Sequence, residues 1–154
     1  MIINIMDEKM FFTYLIGKWF IERKISNNLS LPFSASAVGK VSITKRDQNT
    51  LDYQESVKVK WGNGLISNAH KRYCYILNDN GDLGLYNLES DKVSFMFNLV
   101  FDLQLKNIAK GQYQCGKDSY SATYKIINCN EFTLEFLVNG SEKAYTITSH
   151  FFRI

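Results

Sequence analysis

The sequence predicts an all-β chain, an antiparallel up-and-down β-barrel with a short N-terminal helix. Three observations carry this reading. From Gly17 onward, side chains of like character recur every second residue, the period of a strand. The alternating segments are short and separated by turn signals rich in Asn, Asp and Gly. Aromatic residues are plentiful, with 11 Phe, 9 Tyr and 2 Trp against a single Pro, a composition that suits strands.

The elements follow in order. Asp7 is placed to cap a helix over about Asp7 to Ile16, where Met10, Phe11, Tyr14 and Leu15 recur at helical spacing. Gly17 stops it. Trp19, Ile21, Arg23 and Ile25 then share one face of a first strand, and Phe20, Glu22 and Lys24 share the other. Further strands are expected at Ser34 to Lys45, Leu51 to Lys60, Ile66 to Leu77, Leu83 to Glu89 and Val93 to Leu99. Three more follow at Ser119 to Ile127, Phe132 to Val138 and Lys143 to Arg153. Turns are marked by Asp47-Gln48-Asn49, Gly62-Asn63-Gly64, Asn78-Asp79-Asn80-Gly81, Ser90-Asp91, Asn128-Cys129-Asn130 and Asn139-Gly140. Val100 to Lys117 reads as a strand tail followed by a loop. About nine strands on hairpin turns leave no room for crossover helices, and a long meander loses its exposed edges by closing into a barrel. A β-sandwich is the competing arrangement. No repeat or linker divides the chain, so residues 1–154 read as one domain, with the helix at 7–16 and the barrel over 17–154.

Composition narrows the function classes. The 154 residues are 45% hydrophobic and 21% charged, as in ordinary globular proteins. The net charge of +3 is dispersed. The densest basic group, Lys58, Lys60, Lys71 and Arg72, lies among Asp52, Glu55 and Asp79, whereas nucleic-acid binding needs a coherent basic stripe. The first eight residues carry two acids and no basic residue, unlike a signal peptide. No apolar run approaches the ~20 residues of a membrane span. Cys74, Cys115 and Cys129 are odd in number and lack metal-ligand spacing, so reduced thiols in the cytoplasm are expected. Neither nucleic acid nor membrane is expected as a partner, and the protein is expected as a monomer or homodimer.

Two resemblances follow from particular residues. The helix leading into Gly17-Lys18-Trp19, with Arg153 on the last strand, resembles the lipocalin-like (calycin) barrels. That resemblance implies closure at one end, with Arg153 packed over Trp19. Over nearly the whole chain, the sequence also resembles the bacterial family catalogued as domain of unknown function 6314. The matching elements are Leu15-x-Gly17-x-Trp19-x-x-x-Arg23, Tyr53-x-Glu55, Arg72-Tyr73, Phe101-Asp102-Leu103, Cys115-x-x-Asp118-x-Tyr120 and Phe136-x-Val138-x-Gly140-x-x-Lys143. The chain departs from that family's pattern at three places. Tyr113 stands where a His is usual, Phe136 where a Trp is usual, and Ser141 where a Pro is usual. The resemblance therefore brings no imidazole chemistry to position 113, and it supplies no function.

Strand parity yields a candidate site. With Trp19 inward, Arg23 is inward, and Tyr53 and Glu55 share one face. Lys143 shares the face of Arg153. Tyr120, Ala122 and Tyr124 fall together. In the strand from Ile66, Ala69, Lys71, Tyr73 and Tyr75 share one face, opposite Asn68, His70, Arg72 and Cys74; Tyr73 is read as inward. Arg23, Tyr53, Glu55, Tyr73, Tyr120 and Lys143 are thus the expected ligand-binding residues, with Trp19 and Arg153 closing the barrel. The charges have two readings: an internal salt bridge such as Arg23 with Glu55, or a polar patch that anchors a ligand. The sequence lacks a Gly-x-Ser-x-Gly elbow, a phosphate loop and a zinc-binding His pair, so no metal, cofactor or familiar catalytic set is expected. A small amphipathic or anionic molecule bound in the barrel is the leading function. An acid–base enzyme in the same cavity and an interaction module with a filled core are the alternatives.

Overall fold

The computed structural model describes residues 6–27, 34–102, 104–105, 107–142 and 144–154. Helix α1 spans Glu8–Leu15, one residue shorter at each end than its sequence pattern. It begins where the Asp7 carboxylate accepts the Met10 backbone N–H at 2.8 Å, satisfying a donor that the first turn leaves free. Its apolar face, including Phe11, Tyr14 and Leu15, is buried.

Eleven antiparallel strands follow among the described residues. They are β1 (Gly17–Asn27), β2 (Ser34–Asp47), β3 (Thr50–Trp61), β4 (Ile66–Leu77), β5 (Leu83–Glu89) and β6 (Lys92–Asn98), then β7 (Val100–Phe101), β8 (Ile108–Cys115), β9 (Asp118–Asn128), β10 (Glu131–Asn139) and β11 (Ala144–Arg153). Sequence neighbours pair with each other, except that β6 and β7 share no ladder, and β1 also pairs with β11. The sheet therefore curls into an up-and-down barrel, interrupted at one seam between β6 and the β7–β8 hairpin.

Two features differ from the sequence reading. The stretch after Val100, read as a strand tail and loop, contains β7 and β8. Of the inward positions on β8, Ala109 and Gly111 are small and Tyr113 alone is large, so the alternation that reveals a half-buried strand is weak. The barrel also falls short of complete hydrogen-bonded closure. At the seam, the Phe97 ring lies where a side chain on Gly111 would have to go, and it stacks on Tyr113 with centroids 6.1 Å apart. Side-chain packing closes the wall where ladder bonds are missing.

One end of the barrel is sealed. Helix α1 lies across it, with Phe11 edge-on to Tyr124 at 5.3 Å and to Phe101 at 5.6 Å. Trp19 is fully buried. Its indole N–H donates to the Leu15 carbonyl at 3.0 Å, and its ring meets the edge of Phe132 at 4.9 Å. The Arg153 guanidinium lies 4.1 Å from the Trp19 ring centroid. It donates to the carbonyls of Ile16 and Tyr14, both at 2.8 Å, and to that of Cys129 at 3.2 Å. One side chain of the last strand thus ties together the helix C-terminus, the first strand and the β9–β10 turn. Gly17 permits this: its φ is +144°, and a Cβ there would stand 2.7 Å from Arg153 Nη1. Tyr14 completes the seal. Its hydroxyl donates to the Asn128 and Glu131 carbonyls, and burial pushes its pKa up to about 12.

Arg153→Met is expected to remove a cation–π contact and charge-assisted hydrogen bonds, lowering stability by about 2–4 kcal/mol. Thermal melting checks this, and an unchanged melting temperature would contradict the sealing role. The cysteines offer a second check. Cys74 is buried, Cys115 exposed and Cys129 between, all as free thiols. Burial, aided by Asp52, pushes the Cys74 thiol up against the opposing pull of Arg46. A thiol reagent should modify Cys115 first in the native protein and reach Cys74 only on unfolding. Rapid labelling of Cys74 would contradict its placement.

Candidate functional site

Beyond the seal, the side chains no longer fill the barrel. A cavity of about 650 Å³ runs towards the opposite end, lined by residues from strands all round the wall. Strand parity accounts for its walls. On β3, Tyr53, Glu55, Val57 and Val59 are buried on one face, while Gln54, Ser56, Lys58 and Lys60 are exposed on the other. On β1, the same alternation turns Arg23 and Ile25 into the cavity. Strand β4 outruns β5: their ladder covers only Tyr73 to Leu77, so residues 66–72 pair with β3 alone. The wall is lowest there, and Ser67, Ala69 and Lys71 line the opening.

Of the six residues expected at the site, the structure brings Arg23, Tyr53, Glu55, Tyr73 and Tyr120 to the cavity wall. Lys143 lies outside the described residues. Arg23 and Glu55 form a two-pronged pair, Nη1 to Oε2 at 2.7 Å and Nη2 to Oε1 at 2.8 Å. Arg23 Nε donates to the Ser149 hydroxyl at 2.8 Å, and the Tyr53 hydroxyl donates to Glu55 Oε1 at 2.6 Å. The pair has little contact with solvent: 4% of the Glu55 side chain and 19% of Arg23 are exposed. Burial alone would raise the Glu55 pKa. The hydrogen bonds and charge of Arg23, the Tyr53 hydroxyl and the charge of Lys71 outweigh it and hold the carboxyl below its ordinary value. The pair therefore sits in the cavity as two compensated charges.

The rest of the wall is largely aromatic. Tyr73 meets the edge of Tyr53 at 5.3 Å, and Tyr113 stacks on Tyr120 at 4.5 Å with rings 7° from parallel. Deeper in, the Tyr75 and Tyr124 hydroxyls are 2.8 Å apart. Burial pushes Tyr73 up to about 12 and raises Tyr53, Tyr75 and Tyr124 as well, so these phenols stay protonated near neutral pH.

Three contributors escaped the sequence reading. Lys71 was placed on the Tyr73 face but not chosen, because both faces of that part of β4 are polar. Ser149 carries no sequence signal beyond sharing the face of Arg153. Asn87 lines the cavity between the apolar outward residues Tyr86 and Leu88, so the usual polarity of a strand is reversed there. Its buried Oδ1 has no hydrogen-bond partner among the described residues.

Comparison with known proteins agrees with this architecture. The sequence matches the family described as "Family of unknown function (DUF6314)" over residues 15–153. No curated protein matches it. Among solved structures, the S-type phycobiliprotein lyase CPES from Guillardia theta is similar in fold, with a TM-score of 0.64 at 10% identity. The match covers 97% of this chain and 93% of that one. A second similar structure, EF1p2_mFAP2b bound to DFHBI, has a TM-score of 0.50 at 11% identity, covering 96% of this chain and 100% of that one.

The ion pair generates a prediction. Glu55→Gln leaves a buried guanidinium without its counter-charge and should cost about 3–5 kcal/mol, whereas Arg23→Met with Glu55→Leu should be neutral or stabilising. The pH dependence follows from the direction of the shift. Because folding lowers the Glu55 pKa, its contribution is present above the ordinary value of 4.5 and is lost as pH falls through the folded value. Acid unfolding of the wild type should therefore be steeper than that of the double variant. Equal stability of Glu55→Gln and wild type, measured by urea unfolding, would contradict the pairing.

Proposed function

The chain belongs to the DUF6314 family, and we propose that its barrel binds one small amphipathic molecule, apolar body inward. The observation that carries this reading is the cavity, about 650 Å³ in a barrel sealed at its other end. Small-molecule sites typically span ~300–1,000 Å³ and combine apolar walls with a few placed polar groups. An interaction module with a filled core would leave no such space. A barrel of similar fold is known with DFHBI bound, in keeping with the reading.

The aromatic wall takes the ligand's apolar body, each buried Å² contributing roughly 25 cal/mol. An acidic end lies at the rim. There Lys71 holds its ammonium 5.2 Å from the Tyr73 ring centroid and makes no ion pair among the described residues. Arg23 is a poorer anchor for an anion, since Glu55 and Ser149 already hold its guanidinium. An acid–base enzyme in the same cavity finds no support at Glu55. Its carboxyl is held ionised, so it has no proton to give as an acid, and its oxygens already accept from Arg23 and Tyr53, which weakens it as a base.

A fluorescent naphthalene sulfonate, 1-anilinonaphthalene-8-sulfonate, tests the reading. It should bind the folded protein at one site, and Ala69→Trp, which fills the mouth, should abolish the signal without unfolding the chain. Lys71→Ala should weaken binding severalfold and flatten its salt dependence. Absence of binding, or equal binding by Ala69→Trp, would contradict the proposal.

A further inference from the structure

We propose that the β3–β4 hairpin docks on an anionic lipid surface, with Leu65 and Ile66 entering the acyl boundary and Lys24, Lys58 and Lys60 meeting the headgroups. The inference goes beyond the binding reading above and does not require that the cavity hold a ligand. It starts from the hairpin tip. Leu65 and Ile66 are 65% and 68% exposed, the one adjacent pair of large apolar side chains so open among the described residues. The turn that presents them is firmly built. Gly64 takes a φ of +87° and its N–H donates to the Trp61 carbonyl at 2.9 Å. The Trp61 N–H donates to the Leu65 carbonyl at 2.9 Å, and the Leu65 N–H to Asn63 Oδ1 at 3.0 Å. With these backbone groups paired, the tip gives up little hydration on leaving water. It also stands clear of its neighbour: the β3–β4 ladder runs out to Lys60 and Ile66, while β5 leaves β4 at Tyr73.

Lysines that are scattered along the sequence are gathered here by the fold. Register sets Lys24 opposite Ser36, Ser36 opposite Lys60 and Lys60 opposite Ile66, one row across β1 to β4. The row faces outward, because the alternate residues Arg23, Ile25, Val57 and Val59 line the cavity. Lys58 stands two residues behind Lys60 on the same face. All three lysines are exposed, and none makes an ion pair among the described residues. Neighbouring strands lie ~4.8 Å apart, so the row from Lys24 to Ile66 is only about 15 Å across. On that part of the outer wall the one acid is Glu22, two strands from Lys58 and opposite His150. Asp91 and Glu142 stand on the turns after β5 and β10, which tilts the approach towards the β3–β4 side.

Basic side chains alone would suit any polyanion, and the aliphatic pair beside them singles out lipid. A nucleic acid offers phosphates and stackable bases, from which exposed Leu and Ile side chains gain little. A lipid interface takes apolar side chains below the headgroups and cations among them. Each lysine held near an anionic leaflet strengthens binding about fivefold. The docked edge is also the tall lip of the cavity mouth, since Ser67 and Ala69 follow Ile66 on β4 and line the opening. An amphipathic molecule leaving the bilayer at that lip would reach the barrel without crossing open water.

Co-sedimentation with vesicles tests this, using phosphatidylcholine alone and an equal mixture of phosphatidylcholine and phosphatidylserine. The wild type should sediment with the mixed vesicles at low salt, be released as ionic strength rises, and stay in solution with phosphatidylcholine alone. Lys58→Gln with Lys60→Gln should weaken binding at least about tenfold, and Leu65→Ser with Ile66→Ser by a similar factor. Neither pair lines the cavity, so both variants should keep the dye binding of the wild type, which also reports that they fold. No sedimentation of the wild type with mixed vesicles would overturn the docking and leave the binding reading standing. Full binding by the lysine variant would overturn the headgroup contacts. Full binding by the Leu65→Ser, Ile66→Ser variant, with duplex DNA competing against the vesicles, would overturn the lipid assignment in favour of a purely ionic surface. Sedimentation without any dye binding would support the docking and remove the cavity reading alone.

Discussion

A wall of this many strands encloses more volume than its own side chains occupy. Eight strands give an interior that side chains can just fill. Here eleven strands, one of only two residues, curl into one wall. The excess is dealt with differently at the two ends. At one end it is filled by the helix, the Phe11, Trp19 and Phe132 rings and the Arg153 guanidinium. At the other it remains open as a cavity. The seal depends on a long-range tie, since Arg153 near the C-terminus holds carbonyls of Tyr14 and Ile16 near the N-terminus. The same contact that closes the barrel thus fixes which end a ligand can enter.

Charge inside such a space must be compensated. The Arg23–Glu55 pair, with Ser149 and Tyr53 on its remaining positions, takes the first of the two readings that strand parity left open. It is an internal salt bridge, and it is also part of a cavity wall. Its charges cancel each other and leave it a weak attractor for a ligand's charge. Free polar capacity lies elsewhere, with Lys71 at the rim.

How much of this was legible follows from how each residue announces itself. The period of two on β1 and β3 sufficed to turn Arg23, Tyr53 and Glu55 towards one space, because the opposite faces carry Glu22, Lys24, Gln54 and Lys58. The strand β8 was illegible because the alternation there sets polar residues against the small Ala109 and Gly111, with Tyr113 the one large inward side chain. The seam followed from that miss: a β8 unseen in the sequence leaves no reason to expect Phe97 to pack on a glycine instead of a ladder. Asn87 was missed because Tyr86 and Leu88 make the outward face of β5 the more apolar one. Lys71 was visible by parity alone, but a polar residue at every position from Ser67 to Arg72 except Ala69 gives parity nothing to sort.

The central claim is that the cavity holds a small molecule. Native mass spectrometry of the protein purified from its own host tests this most directly, comparing wild type with Ala69→Trp. The account predicts a retained small molecule at one per chain on the wild type and none on the variant. A bare chain mass on the wild type, from protein that still binds 1-anilinonaphthalene-8-sulfonate at one site, would contradict a resident ligand; the same adduct on both would contradict the cavity as its place.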